Sequence, residues 1–64
     1  MTEVEIYAVS DNTTLVDEWK SNPYFAEIDG NKLMFKTTMA EADAFSEKLK
    51  AVGFTNIVLD APLF

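Results

Sequence analysis

Residues 24–53 read YFAEIDGNKLMFKTTMAEADAFSEKLKAVG, and this segment contains the signals of a β-hairpin followed directly by a helix. Strand-forming residues predict one strand over Tyr24–Ile28 and a second over Lys32–Thr37. Asp29-Gly30 lies between the two strands, and this dipeptide is typical of the two-residue type I′ turn that closes a hairpin. We therefore predict an antiparallel hairpin that turns at Asp29-Gly30.

The helix signal begins at Thr38, which is followed three residues later by Glu41. This spacing is that of a capping box, in which the two side chains bind free backbone N–H groups at the start of a helix. Apolar residues then recur at helical spacing, as expected for a helix with one buried face: Met39, Ala42, Phe45, Leu49 and Val52. Gly53 occupies the position where helices often end in a left-handed residue. The sequence thus predicts a helix over residues 39–52.

The flanking segments add a strand and a helix before the hairpin and a strand after the second helix. Thr2–Ser10 alternates apolar and polar residues, with Val4, Ile6 and Ala8 on one face, which predicts a strand with one buried and one wet face. A cluster of capping-type residues precedes a short apolar pattern, which predicts a helix over Thr13–Ser21. The apolar, β-branched segment Phe54–Asp60 predicts the last strand.

The resulting order, β-α-β-β-α-β, is that of the ferredoxin-like fold. We expect one α+β domain over residues 1–64, with a four-stranded antiparallel sheet in the order 4-1-3-2 and both helices on one face. In an alternative interpretation the short first helix is a loop. The large aromatic side chains are expected in the core, because a domain of this size needs nearly all of them there: Trp19, Phe25, Phe35, Phe45 and Phe54. Leu63 and Phe64 either cap this core or form an apolar contact with a second subunit or a partner.

The composition of the chain excludes several classes of function. The 64 residues include no Cys and no His, so a thiolate nucleophile and the commonest general base and metal ligand are absent from the sequence. We therefore expect a protein that is not an enzyme and that binds no cofactor and no metal. Asp29-Gly30-Asn31 lacks the spacing of a calcium loop, and a hairpin turn explains it better.

The charge of the chain predicts what it binds and where it acts. The formal net charge is −6, with five Lys, no Arg and eleven Asp or Glu residues. Such a chain repels a polyanion, so we expect no direct binding to nucleic acid. The sequence has no apolar segment long enough to cross a membrane and no signal-type start, which favours a cytoplasmic protein without membrane contact. Since it begins at Met1, we expect it to be a whole gene product.

One face of the predicted sheet is left open by the helices, and it is the first candidate site. Alternation places Glu3, Glu5 and Tyr7 on this face, beside Lys32 and Lys36 of the third strand. A simple solvated face with Glu–Lys pairs across the strands is the more common explanation of such charges. The exposed Tyr7, with Met34 beside it, favours a binding role.

Other acidic residues have no local structural explanation. Asp29 is explained by the turn, and Glu41 and Asp43 are explained by the start of the second helix. Asp17, Glu18 and Glu27, near the first helix and the second strand, have no such explanation. We therefore predict that they extend the partner-binding surface formed by Glu3, Glu5 and Tyr7.

Two resemblances to known proteins concern different properties of the chain. The segment from Lys32 to Phe54, a strand that runs into a helix ending in Leu-Lys-Ala-Val-Gly-Phe, resembles half of a SPOR peptidoglycan-binding domain and implies a shared fold. In size and acidity the whole chain resembles small phage-encoded inhibitors, including anti-CRISPR proteins and other DNA mimics. That second resemblance implies a protein whose carboxylates occupy the nucleic-acid groove of a basic nucleic-acid-binding partner. The alternative hypothesis is a homodimeric regulatory or ligand-binding module.

Overall fold

The computed structural model describes residues 3–60, which form an α+β domain with a four-stranded antiparallel sheet and two helices. The elements are β1 (Glu3–Val9), α1 (Thr13–Trp19), β2 (Phe25–Asp29), β3 (Lys32–Thr38), α2 (Met39–Val52) and β4 (Thr55–Asp60). All predicted elements occur, so the interpretation of the first helix as a loop is wrong. Leu63 and Phe64 lie outside the described residues.

The sheet has the order β2-β3-β1-β4, and every pairing between neighbouring strands is antiparallel. Read from the β4 edge this is 4-1-3-2, the order expected from the sequence. β1 and β3 occupy the centre, where β1 residues from Glu3 to Val9 pair with β3 residues from Thr38 to Lys32. Side chains on these two strands therefore have neighbours on both sides, which holds them more firmly than side chains on an edge strand.

The core lies between the sheet and the helices, as the alternation in β1 predicts. Val4, Ile6 and Ala8 are at most 1% exposed, and Phe35 and Leu33, the β3 partners of Ile6 and Ala8, are fully buried. The helices cover this face with apolar side chains that join the same cluster: Val16 of α1, and Ala42, Phe45 and Leu49 of α2. Both helices thus lie on one side of the sheet and leave its other face open.

Aromatic side chains fill much of this core through edge-to-face contacts. The Trp19 ring lies 5.9 Å from Phe35, 5.8 Å from Phe45 and 5.8 Å from Phe54, measured between ring centroids. Such contacts add about 0.5–1.5 kcal/mol each beyond the burial of apolar area. Trp19 and Phe25 are only partly buried at the edge of the cluster, whereas Phe35, Phe45 and Phe54 lie inside it. The short α1 is therefore anchored to the sheet through Trp19.

The hairpin turns one residue later than predicted and with a different geometry. Asp29 pairs with Lys32, so the loop residues are Gly30 and Asn31 rather than Asp29 and Gly30. Gly30 has φ +63° and Asn31 has a negative φ. A positive φ at the first loop residue alone is the pattern of a type II′ turn, so the predicted type I′ turn is wrong. Glycine is favoured at this position because it adopts a positive φ without steric cost.

The start of α2 is where predicted, but the capping box does not form. Thr38 is the N-cap residue, yet its side chain makes no cap hydrogen bond. The Glu41 carboxylate instead accepts hydrogen bonds from the Tyr24 hydroxyl at 3.1 Å and from the Thr37 hydroxyl at 3.2 Å. Glu41 therefore ties α2 to the end of β3 and to Tyr24 just before β2, and the bond to Tyr24 joins residues 17 positions apart in the sequence.

The predicted apolar stripe of α2 is buried only in its middle. Met39 and Val52, at the two ends of the helix, are 53% and 44% exposed. Ser46 is buried instead, and its hydroxyl donates a hydrogen bond to the Asp43 carbonyl at 2.9 Å. The helix ends at Gly53, whose φ of +114° is the left-handed C-cap conformation predicted for it. No helix within residues 3–60 is long and apolar enough to cross a membrane.

A β-bulge interrupts the pairing of β4 with β1. Tyr7 pairs with Val58 but Val9 pairs with Thr55, so Asn56 and Ile57 together lie opposite Ala8. Asn56 has φ +51°, a conformation that asparagine adopts more readily than most residues. The bulge thereby sets which β4 side chains point to the open face of the sheet.

Candidate binding face on the open side of the sheet

The candidate site is the sheet face that the helices leave uncovered, which we call the open face. Directly paired residues on neighbouring antiparallel strands point to the same face of the sheet. The partners of the outward residues of β1 are therefore also members of the open face. Its charged members are the following: Glu3, Glu5, Glu27, Asp29, Lys32, Lys36 and Asp60. Tyr7 lies at its centre, with Met34 and Val58 as its partners on the two neighbouring strands.

Two polar contacts hold the Tyr7 side chain. Its hydroxyl donates a hydrogen bond to Glu5 Oε1 at 3.1 Å. The Lys32 ammonium lies over the ring, with Nζ 5.1 Å from the ring centroid, which is cation–π geometry. Tyr7 is thus a half-buried aromatic surface between an acidic and a basic side chain.

The charges on the open face are not neutralised by ion pairs within the described part of the chain. In residues 3–60 the ion pairs lie on the helices, between Asp17 and Lys20 at 3.5 Å and between Glu47 and Lys50 at 3.6 Å. Glu5 is the register partner of Lys36, but the two side chains form no ion pair there. The expectation of Glu–Lys pairs across the strands is therefore wrong for these residues, and carboxylates outnumber ammonium groups on the open face.

The residues predicted to bind a partner fall into two groups in the structure. Glu3, Glu5, Tyr7 and Glu27 share the open face, and Glu27 reaches it as the β3 partner of Met34. The other group, Asp17 and Glu18, is exposed on α1, on the side of the sheet that the helices cover. Glu27 therefore belongs with the β1 residues and not with the acidic residues of α1.

Three further members of the open face were not predicted as site residues. Asp29 had been explained by the turn alone, although its pairing with Lys32 places it on this face. Val58 and Asp60 lie there because β4 pairs with β1 in the register that follows the bulge. Alternation within β4 gives the spacing of Val58 and Asp60, but the bulge decides which face they share.

The environment of Tyr7 raises the pKa of its phenol. The largest cause is the hydrogen bond to Glu5, followed by desolvation and by the negative charges of Glu5, Asp60 and Glu27. The pKa of Tyr24 is raised in the same way by its hydrogen bond to Glu41. Each phenolate would place a new negative charge beside a carboxylate, so the folded state favours the protonated phenol.

We expect the Tyr7 phenol to titrate above the ordinary tyrosine value of 10.0. The protonated phenol contributes fully to the stability of the folded protein below that pH. This contribution is lost as the pH rises through the pKa of Tyr7 in the folded state. In Glu5→Gln the Tyr7 pKa should fall toward the ordinary value, because the neighbouring charge is gone. NMR titration of the ring resonances measures this. Glu41→Gln is the matched control, since it should lower the pKa of Tyr24 and leave the pKa of Tyr7 unchanged. If the Tyr7 pKa falls as far in Glu41→Gln as in Glu5→Gln, Glu5 is not the specific cause of its shift.

Two shallow recesses flank Tyr7 on the open face. The recess toward β2 has a volume of about 170 Å³ and is lined by Tyr7, Glu27, Ile28, Asp29, Lys32 and Met34. The recess toward β4 has about 460 Å³, and its lining includes Val58 and Asp60. Tyr7 and Lys32 line both recesses, so together they form the wall between them.

Comparisons with protein-family models, with curated proteins and with solved structures found no match for this chain.

Proposed function

We propose that this protein is a small non-enzymatic inhibitor that binds a basic nucleic-acid-binding protein through the open face. In this proposal the carboxylates around Tyr7 take the positions of nucleic-acid phosphates in the partner's groove, as in anti-CRISPR proteins and other phage-encoded DNA mimics. The protein itself binds neither nucleic acid nor membrane and acts in the cytoplasm. The chain carries no His and no Cys, which agrees with a binding role rather than a catalytic one.

The observation that carries the proposal is the charge of the open face around Tyr7. Carboxylates of β1, β2 and β4 surround an aromatic ring, and within residues 3–60 none of them is paired with a lysine of the same face. Lys and Arg of a partner would satisfy these carboxylates with charge-assisted hydrogen bonds. A net charge of −6 would also steer a basic partner toward the protein over distances set by the ionic strength.

The scaffold supports the same role. We propose that the domain is of the ferredoxin-like type, on the order of its elements and of its strands. RNA-recognition domains built on this arrangement bind bases with aromatic residues of the open sheet face. Here that face is acidic, so its complement is a protein that binds nucleic acid rather than nucleic acid itself.

A salt-dependent binding experiment with a basic peptide tests this proposal. We expect hexalysine to shift the amide resonances of β1 and β3 residues facing the open side. Its affinity should fall as the ionic strength rises from about 0.01 M to about 0.15 M, because the Debye length falls from about 30 Å to about 8 Å. An affinity that hardly changes over this range, or shifts confined to α1 and α2, would contradict the proposal.

A homodimeric regulatory or ligand-binding module is the second candidate. Its supporting observation is the edge strand β4, where Val58 is 55% and Leu59 is 42% exposed. An edge strand with apolar side chains is a surface on which a second copy can pair. Sedimentation at increasing protein concentration separates the two candidates, because a dimer gains mass with concentration and an inhibitor that binds as a monomer does not.

A further inference from the structure

The aromatic ring at the centre of the open face is covered by a cation of the chain itself. Lys32 pairs with Val9 on β1 and with Asp29 on β2, whereas Tyr7 pairs with Met34. Lys32 therefore lies beside the next outward position along β1 and not directly beside Tyr7. Its ammonium nevertheless lies over the Tyr7 ring, with Nζ 5.1 Å from the centroid. Lys32 thus leans toward Tyr7 while it forms no ion pair with a carboxylate among residues 3–60.

The position of Lys32 divides the surface around the ring. The recess toward β2 carries Glu27 and Asp29, the recess toward β4 carries Asp60, and Lys32 lines both. Movement of this exposed side chain away from the ring would join the two recesses above Tyr7. The joined surface would have an aromatic floor and carboxylates on both sides.

An arginine side chain matches this surface better than the lysine that occupies it. A guanidinium group is planar, stacks on aromatic rings and pairs with carboxylates through two parallel hydrogen bonds, whereas an ammonium is a strongly hydrated point charge. The chain contains no arginine of its own that could compete for the ring. Charge complementarity and shape therefore both favour a guanidinium above Tyr7.

We propose that Lys32 occupies the place of an arginine side chain of the basic partner. When the partner binds, this arginine displaces Lys32 from the Tyr7 ring. This inference rests on the proposed function and specifies its chemistry. The arginine stacks on Tyr7, and the carboxylates on either side of the ring bind its N–H groups. Lys32 moves into solvent or toward an adjacent carboxylate.

The test compares hexa-arginine with hexalysine on the wild-type protein, on three single variants and on the double variant Tyr7→Leu/Lys32→Met. Hexa-arginine should bind the wild type more tightly than hexalysine, and Tyr7→Leu should remove this preference. Lys32→Met should strengthen hexa-arginine binding about two- to fivefold, the range expected for a cation–π contact at an exposed site. Lys36→Met is the matched control, because Lys36 lies on the same strand and face but not over the ring. It loses the same charge and should strengthen binding less.

The outcomes separate this inference from the proposed function. One contrary result is that Lys32→Met and Lys36→Met strengthen hexa-arginine binding by the same factor. Another is that Lys32→Met strengthens it by the same factor with and without the Tyr7 ring. Either result would show that the effect is one of overall charge. The arginine proposal is then overturned, while the acidic-face proposal stands. If neither peptide shifts the resonances of the open face, the proposed function fails and this inference fails with it. Amide spectra of each variant verify that the sheet is intact.

Discussion

Replacing Phe35 with alanine is expected to remove a large part of the stability of the protein. Phe35 is fully buried on the central strand β3, and its ring contacts those of Trp19, Phe25 and Phe45. Loss of a buried Phe side chain costs about 3–5 kcal/mol, because apolar contacts are lost and a cavity remains. A domain of 64 residues has a total stability of only about 3–10 kcal/mol, so this loss removes a large part of it.

Urea denaturation followed by circular dichroism measures this effect. Met34→Ala is the matched control, since Met34 is the neighbouring residue on β3 but faces the open side of the sheet. It should cost about 1 kcal/mol or less, as is usual for positions outside the core. Phe45→Ala, in the same aromatic cluster, should fall in the range expected for Phe35→Ala. A loss below about 1 kcal/mol at Phe35 would mean that the ring is not packed as described.

The second large effect is expected from reversing the charges on the open face. The double variant Glu5→Lys/Glu27→Lys should weaken hexalysine binding about tenfold or more, because like charges facing each other across an interface cost several kcal/mol. Glu5 accepts the hydrogen bond from the Tyr7 hydroxyl and Glu27 lines the recess beside Tyr7, so both lie close to the centre of the face. The fold should persist, since neither side chain is in the buried core.

The matched control is Asp17→Lys/Glu18→Lys, which changes the net charge of the protein by the same amount on helix α1. Asp17 loses only an exposed ion pair with Lys20, which contributes little to stability. If the open face is the binding site, this variant should weaken hexalysine binding far less than the first. Equal losses would show that overall charge, rather than the open face, controls binding. A larger loss from the α1 variant would move the site to the helical side.

Glu3 is an acidic residue at the rim of the open face. Glu3 begins β1 and pairs with Thr38, at the end of the open face farthest from the hairpin turn. Glu3→Lys should therefore slow association while weakening binding less than the change at Glu5, because a charge at the rim acts mainly on the encounter rate. Stopped-flow association kinetics would detect this difference.

The local features of the fold could be predicted from the sequence because each is determined by a short pattern. Alternation in β1 identified Val4, Ile6 and Ala8 as core residues and Tyr7 as an outward residue, and the structure confirms this. Helical periodicity and Gly53 fixed the extent of α2, since these signals depend on neighbouring residues alone. For the same reason the sequence placed Glu3, Glu5 and Tyr7 on one face.

Other features were decided only when the strands and helices pack together. The hairpin loop moved to Gly30-Asn31 because the pairing of β2 with β3 sets its register, which the turn dipeptide alone does not. Glu41 left the predicted capping box for hydrogen bonds to Tyr24 and Thr37, and these exist only once the helix lies beside the hairpin. In each case a contact between assembled elements replaced the local one that the sequence favoured.

Some residues of the open face could likewise be predicted from the sequence, and others were placed there only by the packing of the strands. The sequence determined that β1 has an acidic outward side with an aromatic residue, because alternation along one strand is enough to establish that. Only the tertiary structure grouped Glu27 with these residues, separated them from Asp17 and Glu18, and added Asp60 across the bulge in β4. The physical reason is that a face of a sheet is formed by strands far apart in the chain, and their register is set by packing of the whole core.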